Sequence, residues 1–273
     1  MAIDNLQHEL HIAIRLARQA GEVIMGYYQT GLAVERKPGD EPVTAADRAA
    51  DDLIRAGLSA AFPDDGQLTE ESDDDASRLE KARVWIVDPL DGTKDFIAET
   101  GHFVVQIALA VGGYPALGVV YQPTTGLLYH AVQGQGAYRI QDSRTERLHV
   151  STAAEPERMC LVASHSNYSP LVEAARQALG IESVSRMGSV GLKVGALSAG
   201  ACDLYLATTI VKEWDLCAPH ALLLEAGGEM TNPCGEGLTY NKPGLAECRG
   251  LIASNGLAHD QIVETVAPLL EGM

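Results

Sequence analysis

Basic residues are scarce in this chain of 273 residues: 20 lysines and arginines stand against 37 aspartates and glutamates, a formal net charge of −17. An acidic surplus of that size excludes nucleic-acid polymers and anionic membrane surfaces as main partners, because both would be repelled. Cysteine is also sparse. Cys160, Cys202, Cys217, Cys234 and Cys248 are odd in number and no two are spaced as CxxC, so neither a disulfide framework nor a zinc site is expected. No apolar run reaches the length of a bilayer span, and residues 1–5 lack the basic-then-apolar pattern of a secretory leader. Repeats and low-complexity tracts are absent as well. These absences predict a soluble, cytoplasmic protein. Its 46% hydrophobic and 21% charged residues are ordinary for that class, and its length allows one large domain or two of ordinary size.

Hydrophobic periodicity organises what remains. Leu6, Leu10, Ala13, Leu16, Ala17, Ala20, Val23, Ile24 and Tyr27 recur at helical spacing and predict an amphipathic helix over 6–28. Residues 33–37 read as a short strand and 38–42 as a Pro/Gly turn. Thr44 is a candidate N-cap for a second helix over 44–61, with Asp47 in its first turn, where an acid suits the macrodipole. A short strand over 67–69 runs into the acidic stretch 70–75, of which Asp73 to Asp75 read as a solvated loop. Strands over 103–111, 115–121, 127–132 and 136–140, punctuated by turn residues, predict an antiparallel meander. A polar segment, 143–147, is the candidate boundary. Beyond it, strands near 159–163, 183–186, 203–207 and 250–253 alternate with helices near 169–179, 188–199, 215–226 and 257–270. The expected class is α/β, with an α+β domain over 1–145 and an α/β domain over 146–273.

Chemistry concentrates in residues 85–96, Trp-Ile-Val-Asp-Pro-Leu-Asp-Gly-Thr-Lys-Asp-Phe. An apolar strand ends in two carboxylates three residues apart, Asp88 and Asp91. Pro89 fixes the chain direction and Gly92 permits a tight turn. Two hard anionic ligands with the Leu90 carbonyl between them suit Mg2+ or Mn2+, not Zn2+. The amides of Gly92 and Thr93, at a helix start, suit a phosphate. Together these are the parts that metal-assisted phosphate ester hydrolysis needs. Bound cations would also answer the charge imbalance, which by itself disfavours an anionic substrate. Two further acidic groups keep this motif company: Glu70-Glu71 at a strand end, and Asp215 at a helix start in Trp214-Asp215-Leu216-Cys217-Ala218-Pro219.

The set Glu-Glu-Ser, Asp-Pro-Leu-Asp-Gly-Thr and Trp-Asp-x-x-Ala-Pro resembles the inositol monophosphatase superfamily of magnesium-dependent, lithium-sensitive phosphatases, over residues 6 to 265. The resemblance implies a layered αβαβα sandwich. It implies that Glu70, Asp88 and the Leu90 carbonyl hold one Mg2+ and that Asp88, Asp91 and Asp215 hold a second, with two or three ions in all and Mn2+ as a substitute. Glu71 matches the second glutamate of the family. Asp47, in a Thr-x-x-Asp element, and Thr93 would orient and deprotonate the attacking water, and the Gly92 and Thr93 amides would hold the phosphate.

Within the superfamily, Lys94 after the Gly-Thr pair and residues 212–219 resemble the 3′(2′),5′-bisphosphate nucleotidase group. Thr208 stands where inositol monophosphatases place an acid for sugar hydroxyls. Ser164 and His165 match the nucleotide side of that group and Lys193 a lysine near its second phosphate, although Val190 replaces a serine that some members carry. The expected substrate is therefore a small phosphorylated molecule, adenosine 3′,5′-bisphosphate first, in the context of sulfate assimilation. The alternatives are inositol 1-phosphate or fructose 1,6-bisphosphate in the same fold, and, in a different class, a catalytically weak Mg2+-binding regulatory protein. The group includes both monomers and homodimers.

Overall fold

The first periodic segment folds as helix α1 (Gln7–Tyr27), which buries Leu10, Ala13, Leu16, Ala17, Ala20 and Ile24 on one side. The structure is a computed structural model that describes residues 6–30, 35–36, 42–74, 76–165, 168–243 and 247–270. A two-residue pairing of β1 (Glu35–Arg36) with β2 (Pro42–Val43) precedes helix α2 (Ala45–Ala61). The remainder of the strand expected over 33–37, the turn at 38–41 and Asp75 lie outside the described residues. Thr44 caps α2 as expected: its hydroxyl accepts from Ala46 N, and its own N–H and O–H donate to Asp47, closing a capping box.

The first large sheet has seven strands. Strand β3 (Gly66–Thr69) runs parallel to β4 (Arg83–Asp91). After the short helix α3 (Thr93–Ile97), the chain makes an antiparallel meander of β5 (Val104–Val111), β6 (Tyr114–Gln122), β7 (Leu127–Val132), β8 (Gly136–Gln141) and β9 (Arg144–Arg147). Strand β9 runs through the polar segment 143–147. Asp142 and Ser143 both have positive φ and form a two-residue hairpin loop, so Arg144 pairs with Gln141 and the sheet continues to Arg147. All four β9 side chains are exposed, so no alternating pattern announced it.

The second half supplies a five-stranded sheet and four helices in alternation. They are β10 (Cys160–Ser164), α4 (Pro170–Ala178), β11 (Ser183–Met187), α5 (Val190–Ser198), β12 (Leu204–Lys212), α6 (Glu213–Glu225), β13 (Glu229–Thr231), β14 (Glu247–Ser254) and α7 (His259–Leu270). The strand order is β11-β10-β12-β14-β13. β10 is parallel to both its neighbours, and β14 is antiparallel to both of its own. The three-residue β13 was not expected.

Three apolar clusters define five layers. Trp85, Val87, Val105, Ile107 and Leu109 face α1 and α2. The opposite face of the same sheet, with Val84, Ile86, Val104 and Val120, packs on α5 and α6, and these in turn meet Tyr205, Leu251 and Ala253 of the second sheet. Leu161, Leu204 and Ile252 on that sheet's outer face meet α4 and α7. The order is helix, sheet, helix, sheet, helix, the αβαβα sandwich expected. The middle helices are apolar on nearly every side because both flanks are covered.

One expectation about the acidic loop is corrected. Asp74 is half-buried, and both its oxygens accept from Arg78, at 3.0 Å from Nε and 2.7 Å from Nη2. Arg78 is itself buried and reaches Asn241 Oδ1 at 2.7 Å. The pair therefore ties the loop after β3 to residues 241–242. Asp73 remains exposed.

Candidate active site

Residues three apart on a regular strand point to opposite faces. The pairing of β4 with β5 breaks that rule: Asp88 lies opposite Gln106 and Asp91 opposite Val104, three steps on one strand against two on the other. This bulge turns both carboxylates to the same side. Asp215, in the first turn of α6, completes the group, and one oxygen from each of the three lies within 4.8 Å of the others. Glu70 arrives beside Asp88 because β3 runs parallel to β4 with its last residue, Thr69, opposite Val87. Its N–H donates to Val87 O at 3.2 Å.

Each acid is held by its own backbone device. Asp88 accepts from Leu90 N at 2.9 Å. Asp91 accepts from Ser189 Oγ at 2.5 Å and Gly191 N at 2.8 Å. Asp215 accepts from Lys212 N at 2.7 Å. Gly92 turns the chain into α3 at φ +101°, and a Cβ there would stand 2.8 Å from His102 O, so only glycine fits. Thr93 follows. Its hydroxyl lies 3.1 Å from Asp47 Oδ1 and 3.3 Å from the Leu90 carbonyl oxygen. Asp47 is buried, and its other oxygen is saturated by Thr44, so Oδ1 is the one directed at Thr93.

Most of these residues, though not Asp47, line one cavity of about 500 Å3. Glu70, Asp88, Leu90, Asp91, Gly92, Thr93 and Asp215 line it, together with Lys94, Ser164 and Lys193. Lys94 is exposed at the mouth. Lys193 is buried, with its ammonium 4.9 Å above the Tyr205 ring. Apolar side chains also line the cavity, among them Val172, Tyr205, Ala207, Ile210 and Trp214. Thr208 also lines it and shares a 2.8 Å hydrogen bond with Ser169. His165 is not part of this lining. It is exposed and stacks on His102, ring centroids 5.2 Å apart, while Gly188 N donates to His102 Nδ1 at 3.4 Å. Glu71 is half-buried and does not line the cavity either.

Burial dominates the electrostatics. It pushes the Asp88 carboxyl well above the usual carboxylate range, and repulsion from Glu70, Asp91 and Asp215 adds to the shift. Asp91 is raised by burial against the opposing effect of its two hydrogen bonds and Lys193. Asp47 is raised by burial, with Thr44 and Thr93 pulling the other way. Lys193 is lowered by burial and partly restored by Asp91, Asp95 and Asp215. Two buried carboxylates and the half-buried Asp215, beside a fourth and a backbone carbonyl, make an all-oxygen donor set that fits a divalent cation of the hard class.

Three contributors escaped sequence reasoning. Ser189 sits at φ 58°, rare for a residue with a side chain, where its hydroxyl both binds Asp91 and caps α5 through Leu192 N. A serine ahead of an apolar helix is an N-cap signature, but the helix was expected to begin at 188. Gly191 N and the buried Asp95 gave no local signal.

The chain matches the inositol monophosphatase family over residues 5–271. It belongs to that family. Among family relatives, the 3′(2′),5′-bisphosphate nucleotidase CysQ of Salmonella typhimurium is 37% identical over 230 residues, 83% of this chain and 91% of that protein. The histidinol-phosphatase of Chlorobaculum parvum is 34% identical over 255 residues, 92% of this chain and 95% of that one. Among solved structures, the IMPase of Thermotoga maritima superposes with a TM-score of 0.84 at 28% identity, covering 97% of this chain and 99% of its own. Among the described residues of this family member, no helix is long and apolar enough to cross a membrane.

Proposed function

We propose that this chain is a Mg2+-dependent phosphomonoesterase that removes the 3′-phosphate of adenosine 3′,5′-bisphosphate, giving AMP and phosphate. The observation that carries the reading is the cavity in which the carboxylates, three lysines (Lys94, Lys193 and Lys212) and several apolar side chains meet. Glu70, Asp88 and the Leu90 carbonyl would hold one ion, and Asp88, Asp91 and Asp215 a second. When bound, such ions activate water and neutralise charge on a phosphoryl group. The chain's own residues do the rest. The Thr93 hydroxyl, donating to Asp47 Oδ1, orients the nucleophilic water and passes its proton toward that carboxylate. The amides of Gly92 and Thr93 receive the phosphoryl oxygens. Lys193 and Lys94 supply positive charge for a second phosphate, which a monophosphate would leave unanswered. The apolar side chains in the lining, Tyr205 and Trp214 among them, suit a nucleoside better than an inositol ring, and Thr208 offers no carboxylate to sugar hydroxyls. The bisphosphate nucleotidase relative supports the same substrate. The free thiols of Cys160, Cys202, Cys217 and Cys234 suit a reducing cytoplasm.

A second reading rests on the histidinol-phosphatase relative, which matches more of the chain at nearly the same identity. The test is kcat/KM for phosphate release from adenosine 3′,5′-bisphosphate, histidinol phosphate and inositol 1-phosphate, with Mg2+, with and without Li+. The bisphosphate should lead by tenfold or more. A lead for either monophosphate would overturn the substrate assignment while leaving the phosphatase reading intact.

A further inference from the structure

Gln106 is fully buried, and neither its Nε2 nor its Oε1 has a hydrogen-bond partner among the described residues. A buried amide left unpaired costs about 1–3 kcal/mol per group, so an apolar residue of similar size would serve the fold better. Its position makes the choice intelligible. Gln106 lies on β5 between two lateral neighbours, Val120 on β6 and Asp88 on β4. Directly opposed side chains on one face stand about 4.5–5.5 Å apart at Cβ. Asp88 is therefore the polar group beside it, and the Val120 side offers nothing. From above, the first turn of α5 closes on the amide. A Cβ built on Gly191 would stand 3.3 Å from Gln106 Cδ and 2.9 Å from Val120 Cγ1. The N–H of that same Gly191 holds Asp91. The carboxamide is thus wedged between the backbone that supports one carboxylate of the cluster and the strand that carries the other.

We propose that Gln106 is a positioning residue for Asp88: its uncharged N–H donor, unpaired in the metal-free chain, closes on the carboxylate when a divalent cation binds and fixes it in the orientation that the cation requires. This rests on reading Asp88 as a metal ligand. A carboxylate presents about four acceptor positions. Leu90 N occupies one at Oδ1, and cations on the cavity side leave room for an amide donor from behind. Glutamate at 106 would add a fifth acid to the cluster, and an apolar residue would remove the donor. Loss of such a supporting contact typically weakens metal binding by about 10–100-fold.

The test uses the full chain, stripped of metal, with Gln106→Leu and Gln106→Met. Mn2+ affinity is read by isothermal titration and Tm by thermal unfolding in EDTA. The expected result is a Kd for Mn2+ raised by about 10-fold or more in both variants, with Tm in EDTA equal to or above the parent, since the unpaired amide is gone. Methionine, unbranched, keeps the test readable if leucine does not fit. An unchanged Kd in the variants, with normal binding by the parent, would overturn the role of Gln106 alone. A Kd that worsens only in step with a falling Tm would overturn it too, as packing. A parent that binds no Mn2+ would overturn the metal-site reading and this proposal with it.

Discussion

Replacing Asp88 by asparagine should make the metal-free protein more stable, which is unusual for a change at a fully buried position. The three carboxylates of the cluster approach within 4.8 Å. At an effective dielectric constant of about 20, two unit charges at that distance repel by roughly 3 kcal/mol. Asp88 faces two such neighbours, so full ionisation would cost about 7 kcal/mol. Proton uptake and the nearby Lys193 relieve part of this; taking about half as surviving leaves about 3 kcal/mol, or roughly 6–12 °C in Tm for a chain of this size. The sign with pH follows from the raised carboxyl pKa. Stability from such a group is full below its unfolded value near 4 and is lost as pH rises through the raised folded value. The advantage of Asp88→Asn should therefore be largest near pH 8 and shrink toward pH 5. Added Mg2+ or Mn2+ nearly closes the gap. At 100 times Kd one ion stabilises the parent by about 2.7 kcal/mol, and the variant gains little. The assay is thermal unfolding of both proteins in EDTA and in metal at the two pH values. A variant less stable than its parent in EDTA at pH 8, or an equal metal-induced gain in both, would refute the argument.

Thr93→Val should lower kcat by about 10²–10⁴-fold while leaving Mn2+ affinity and Tm near the parent's; a kcat within threefold removes Thr93 from the reaction. Asp47 must be ionised to accept a proton and burial raises its pKa, so kcat should fall on the acid side at a pH above that of an exposed aspartate. Because the Thr93 hydrogen bond lowers that pKa, the residual activity of Thr93→Val should show its acid limb at still higher pH; a limb that stays put assigns it to another group. Arg78→Met should cost about 3 kcal/mol in urea unfolding, since it strands Asp74 and unties residues 241–242; a change below 1 kcal/mol would make the pair incidental.

Much of this architecture was legible because the pattern and its cause are local. Helices α1 and α2 announce themselves by apolar spacing and a capping threonine, and the meander by β-branched runs between glycines. The acids stood out because each lies at or near a strand end or a helix start, where an apolar run gives way to carboxylates. What was not legible depends on pairing across the chain. Strand β9 has no buried face, so its sequence carries no alternation. Arg78 reads as a surface cation until residues 241–242 close over it. Ser189 and Gln106 matter through the register that sets one beside Asp91 and the other beside Asp88, and neither type at that spacing signals it. His165 stacks on His102, a partner 63 positions away that no local motif predicts.

The most direct test of the central claim is phosphate release from adenosine 3′,5′-bisphosphate by the parent and by Asp91→Asn, each in Mg2+ and in EDTA. The account predicts release by the parent in Mg2+, none in EDTA, and a loss of about 1,000-fold or more in a variant that remains folded. Near-normal turnover by Asp91→Asn, or release that survives EDTA, would contradict it.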